Sequence, residues 1–144
     1  MTDHRPRLFE CDAEIRRIGE GLIACTLPRA DWTHEAHLAT CLWIIRDRPD
    51  IEAERDLPRI IPRYNESVGG VNSDTEGYHE TITQIYISAV RDHLSEIDRQ
   101  FSLTETVNAL LRSDRGRRDW PLRFYSREKL FSVEARRRFV SSDL

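Results

Sequence analysis

The run Thr33-His34-Glu35-Ala36-His37-Leu38-Ala39-Thr40-Cys41-Leu42-Trp43-Ile44-Ile45-Arg46-Asp47 constrains the fold more than any other stretch of the chain. Its apolar residues recur at helical spacing, Thr33 is a good N-cap, and Pro49 disfavours helix in the residue before it. The run predicts a helix over about 34–47. No segment alternates apolar and polar residues convincingly with period two, so strands are not expected.

Punctuation along the rest of the chain predicts further helices. Residues 1–9 read as a short tail. Asp12 can cap a helix over about 13–25, with Ile15, Ile18, Leu22, Ile23 and Cys25 at helical spacing and Gly19 and Gly21 weakening it. A third helical stretch begins near Asp50 and reaches Ser67, with Pro58 and Pro62 expected to split it into two short pieces. Gly69-Gly70-Val71-Asn72-Ser73-Asp74 is the clearest loop. Asp74 or Thr75 is expected to open the longest helix, to about Ile97. Ser102 or Thr104 caps a helix to about Arg112, and Gly116 lies near its C-terminal end. Ser126 and Ser132 cap short turns over 127–131 and 133–139. The expectation is one all-α domain over 1–144, a bundle of about five helices with a partly irregular C-terminal extension over 114–144.

Charge and cysteine narrow the class. Residues 1–100 carry 12 basic and 19 acidic side chains, and residues 101–144 carry 10 and 6, so an acidic body precedes a basic end. That basic end lacks the dense stripe of a nucleic-acid binder and reads as a solvated helix surface or a contact with the acidic half. Arg136-Arg137-Arg138 fits the same description. Cys11, Cys25 and Cys41 are odd in number and widely spaced, which argues against disulfides or a cysteine zinc knuckle. No apolar run approaches the roughly 20 residues of a membrane span. The opening MTDHRPRLFECD lacks the apolar core of a signal peptide, so the expected location is the cytoplasm.

Three of the five histidines carry the functional signal. With about 100° per residue, His34 and His37 both fall within the apolar face of their helix, near Cys41, Leu38 and Ile44. On the helix expected to open at residue 74 or 75, His79 lies near the edge of a buried arc with Tyr78, Ile82, Tyr86, Ala89 and Val90. His93 lies about 20 Å further along that arc, too far to share one ion with His79. Buried imidazoles need partners. Three converging from two helices would suit a divalent transition metal (zinc, copper, iron or nickel) with a position open for substrate. Asp31, Glu35, Glu76 and Glu80 are candidates to orient the rings, and Glu35 or Glu80 could move a proton. The His34-Glu35-Ala36-His37 spacing is one residue short of the zincin motif. Glu76-Gly77-Tyr78-His79 matches the Glu-x-x-His of di-iron bundles but has no second copy. The same histidines also fit a hydrogen-bonded core network, or catalysis by one imidazole without metal.

Other residues carry weaker signals. Arg63-Tyr64-Asn65-Glu66 reads first as the end of an amphipathic helix and second as part of a pocket wall, and Gly69-Gly70-Val71-Asn72 could form a lid or an anion-binding turn. That loop has neither the Walker nor the dinucleotide-binding spacing. Thr81 and Thr83 flank the His79 face and could bond a ligand, though such residues more often bond their own helix.

The motifs Trp32-x-His34-x-x-His37-Leu38 and Gly77-Tyr78-His79-Glu80-Thr81-x-Thr83, with the segment Tyr125 to Arg136, resemble a group of small bacterial proteins of unassigned function. That resemblance implies that His34, His37 and His79 belong together. The DinB-like bundles, with three metal-binding histidines in a different order along the chain, offer an analogy of architecture only. The functional expectation is a buried three-histidine site acting on a small molecule through a metal. The alternative is a ligand- or protein-binding module whose histidines are structural. Neither a nucleic acid nor a membrane is an expected partner.

Overall fold

Thr33 Oγ1 accepts the Ala36 N–H at 3.1 Å and starts α2, His34–Asp47, where the cap was expected. The computed structural model describes residues 4–144, and among them the chain is all-α, with no strand. The other long helices are α1 (Asp12–Ala24), α3 (Ala53–Ser67), α4 (Glu80–Glu96) and α5 (Leu103–Arg112). Two short ones, α6 (Arg127–Leu130) and α7 (Val133–Arg137), lie in the C-terminal extension.

Helix α2 is the centre of the bundle. Every residue from Leu38 to Ile44 is buried, and α1, α3, α4 and α5 all pack on it. A helix apolar around its whole circumference must be wrapped, and this one is. The main core joins Leu38, Leu42, Trp43 and Ile44 to Ile15, Leu57, Ile87, Val107 and Leu110. A smaller cluster of Ile18, Leu22, Leu27, Ile60 and Tyr64 closes the α1–α3 side. Gly19 has a packing reason to be in α1, since a Cβ there would overlap the Trp43 ring.

Four local expectations are corrected. Asp12 does not cap α1 but is its first residue, and its carboxylate accepts the Thr104 N–H at 2.9 Å and the Thr104 hydroxyl, tying α1 to α5. The prolines do not split α3. Pro58 removes the N–H that would bond the Glu54 carbonyl, and Gln84 Nε2 from α4 donates to that carbonyl instead, at 3.1 Å. Helix α4 opens at Glu80, not at 74 or 75. His79 is its N-cap, with Nδ1 accepting the Ile82 N–H at 3.1 Å. The described part of the expected tail is tied down. Leu8 and Phe9 pack on the core, and Asn108 bonds both the N–H and the carbonyl of Phe9 at 2.9 Å. Residues 1–3 of that tail lie outside the described residues.

The loop before α4 is held by Asn72. Its Oδ1 accepts from Tyr78 N–H and Asn65 Nδ2, and its Nδ2 donates to the Pro62 carbonyl at 3.0 Å. Gly77 sits at φ +84, and a Cβ there would overlap the Val71 carbonyl.

The extension wraps α4. Ser126 and Ser132 cap α6 and α7 as expected. Leu130 offers its carbonyl to His79 Nε2, Arg138 offers its own to the Thr81 hydroxyl, and Arg137 pairs with Asp74 through two 2.7 Å contacts. Part of the basic end is therefore an intramolecular contact with the acidic body, Arg115 with Glu96 being a second example.

Candidate functional site

A cavity of about 310 Å³ opens between α2, α3 and α4. Leu38, Leu57, Ile61, Ile82 and Ile87 make most of its wall. His34, His37, Cys41, Thr83, Tyr86 and Arg118 supply the polar atoms. His34, His37 and Cys41 reach it from one face of α2, three and four residues apart, and Thr83 and Tyr86 reach it from α4. Volume, apolar wall and few convergent polar groups are the features of a small-molecule site.

Each of the five histidines bonds a main-chain carbonyl, and a carbonyl only accepts. His4, His34, His79 and His93 donate through Nε2, to Leu111, Gly116, Leu130 and Thr106, at 2.7 to 2.9 Å. His37 alone donates through Nδ1, to Thr33 at 2.8 Å. Its Nε2 is left as a lone pair with no hydrogen-bonding partner among the described residues. The His37 ring lies against Trp32, centroids 3.8 Å apart, and Trp32 meets Tyr64 edge-on. His37 is exposed at the rim shared by two cavities, not the buried imidazole its helix face predicts; the protein packed on one side lowers its pKa below the usual imidazole range, and solvent on the other moderates that effect. His34 is lowered too, by burial first, against the opposing pull of its bond to Gly116. Both rings are therefore neutral near pH 7. A neutral imidazole with one N–H fixed by a carbonyl and the other nitrogen bare can accept a hydrogen bond or a proton.

The remaining polar groups are set differently. Burial pushes the Cys41 thiol up to about 12, so it stays protonated. The Tyr86 hydroxyl donates to Arg117 at 2.6 Å, burial raises its pKa, and its ring meets His34 edge-on at 5.6 Å. Thr83 donates to the His79 carbonyl within its own helix, as such residues commonly do. Arg118 stands at the mouth, largely exposed, 3.9 Å from Glu35.

His79 does not join His34 and His37. One of its nitrogens caps α4 and the other holds Leu130, so both are engaged within the protein. Among the described residues no group of three or more His, Cys, Asp or Glu side chains is placed to hold a metal ion. Glu35 faces a separate cleft with Asp31 and Thr33. Glu80 accepts the Tyr78 hydroxyl and lines another groove, and Glu76 lines a third cavity. The histidines are oriented by backbone carbonyls in place of the expected carboxylates.

Two neighbouring concavities complete the surface. One, of about 460 Å³, lies under Gly69, Gly70 and Val71 and is lined by Trp32, Tyr64 and Asn65. It shares His37 with the first cavity. The other is larger, about 730 Å³, and runs along α4 beside Trp120, Phe124 and Phe139. Size alone does not make it the better candidate. Its Glu54 and Arg91 are paired with each other through two 2.6 Å contacts, and its Tyr125 hydroxyl is bonded to Val140.

Sequence reasoning places Tyr86 on the buried arc of α4 but not in a site, and it gives no signal for Arg118. No known protein family, no curated protein and no solved structure matches this chain.

Proposed function

We propose that this chain binds a small, mostly apolar molecule in the cavity between α2, α3 and α4, with His34 and His37 as its polar contacts. The observation that carries this reading is the His37 ring, held by Thr33 and Trp32 at an apolar cavity with Nε2 unengaged. Burying apolar surface of the ligand supplies the affinity, and the two imidazoles supply the orientation.

A metal-dependent enzyme built on His34, His37 and His79, with Glu35 or Glu80 moving a proton, asks more of the chain. His79 would have to release either the Ile82 amide or the Leu130 carbonyl, and Glu35 or Glu80 would have to turn in from another cleft. The binding reading needs no such rearrangement. No helix among the described residues is long and apolar enough to cross a membrane, so nothing there calls for a lipid-facing span.

The test is a cavity-filling variant. Ile82→Trp places an indole in the cavity, and Glu80→Gln changes the groove on the other side of α4. Small aromatic compounds that raise the Tm of the parent are expected to raise that of Glu80→Gln equally and to leave Ile82→Trp unmoved. Stabilisation of Ile82→Trp as large as that of the parent would overturn the reading.

A further inference from the structure

The polar atoms of the cavity wall have given up their protons in one direction. His34 Nε2–H goes to Gly116, His37 Nδ1–H to Thr33, the Thr83 hydroxyl to His79 and the Tyr86 hydroxyl to Arg117. All four acceptors are main-chain carbonyls. What these side chains retain are lone pairs: His34 Nδ1, His37 Nε2 and the two hydroxyl oxygens. The Cys41 thiol is a weak donor at most. Among the described residues the one strong side-chain donor lining the cavity is Arg118, and it stands at the mouth, 74% exposed and drawn toward Glu35.

Charge complementarity then sorts ligands. A carboxylate inside would face lone pairs and find no strong donor but the guanidinium at the mouth. An ammonium would have acceptors, but it would leave water for an apolar wall and approach past Arg118. An ether or a hydrocarbon would leave the lone pairs unmatched. A neutral hydroxyl or N–H on an apolar frame satisfies the wall without a buried charge.

We infer that the cavity selects a neutral hydrogen-bond donor, an alcohol or phenol on an apolar frame, with His37 Nε2 as its main acceptor. The inference rests on the binding reading above and adds the chemistry of the ligand. His37 is the main acceptor because the bond to Thr33 and the stack on Trp32 fix its ring. A substituted benzene ring fits the space, since a cavity of about 150 Å³ already takes benzene.

The experiment uses the full chain and four probes on one 4-ethylphenyl frame: 4-ethylphenol, 4-ethyltoluene, 4-ethylbenzoate and 4-ethylbenzylammonium. Binding is followed by titration calorimetry, and the imidazole nitrogens by long-range proton–nitrogen NMR. 4-Ethylphenol is expected to bind at least about tenfold more tightly than 4-ethyltoluene and to outrank both charged probes. It should move the His37 Nε2 resonance in the direction of hydrogen-bond acceptance. His37→Phe is expected to bind the phenol and the toluene alike. Equal affinity of the two in the parent, or tightest binding of either charged probe, would overturn the inference while leaving the cavity reading standing. Failure of all four to bind would overturn both. The ligand-free spectrum checks the same claim without any variant. His37 should carry its proton on Nδ1 and His34 on Nε2, and the reverse assignment would overturn the inference. So would equimolar zinc shifting His34 and His37 together, because their lone pairs would then serve a metal.

Discussion

His79 does two jobs, and the cap needs its neutral ring. Nδ1 must accept the Ile82 N–H to cap α4, while Nε2–H must reach Leu130 in the extension. Burial lowers its pKa first, Arg136 adds to the lowering, and the bond to Leu130 opposes it. His93, also buried, is lowered in the same way against its bond to Thr106. An unfolded histidine titrates near 6.5, so the unfolded chain binds these protons first as pH falls. Their stability contribution is complete above about pH 6.5 and is lost as pH drops from there toward the lowered folded values. Urea midpoints measured from pH 8 to pH 4 should decline through that window, and the decline should be shallower in His79→Asn, which keeps a capping group without a titrating one. His79→Ala should cost about 1–3 kcal/mol through a lost cap and an orphaned carbonyl. The sequence pattern Gly77-Tyr78-His79 marks His79 as unusual but hides the reason. Histidine is not a favoured cap, and Leu130, the residue it holds, is 51 positions away.

The caps at Thr33, Ser102, Ser126 and Ser132 were legible because each acts within four residues of itself. Helix α3 was not, because what preserves it comes from another helix. The Glu54 carbonyl orphaned by Pro58 is satisfied by Gln84. Gln84→Ala should therefore cost about 1 kcal/mol in the parent. In a Pro58→Ala background the residue 58 N–H returns to that carbonyl, and the cost of Gln84→Ala should shrink. A double-mutant cycle in urea measures the difference directly, and additive effects would show that the two residues do not share the carbonyl. At Gly19 a helix-weakening residue is explained by what lies across the interface. Gly19→Ala should gain helix propensity yet destabilise, by about 1–3 kcal/mol, because its Cβ would push the Trp43 ring.

At the scale of the molecule, the all-α class was readable from cap and period, whereas the role of the extension was not. Residues 114–144 contribute the Gly116 carbonyl to His34, Arg118 to the cavity mouth and the Leu130 carbonyl to His79. Amide exchange of Tyr125 and Leu130 should accordingly be slow, on a par with α4, and fast exchange would show a loose tail. The pair His34 and His37 was legible as one helix face. The third partner expected for it was not found, because the true start of α4 turns His79 from a face residue into a cap. Amide chemical shifts during a titration with 4-ethylphenol show whether the proposed ligand enters the α2–α3–α4 cavity. Shifts are expected only in the segments carrying His34, His37, Cys41, Ile61, Ile82 and Tyr86. Shifts centred on Trp120, Phe124 and Phe139, along the larger groove, would contradict the proposal.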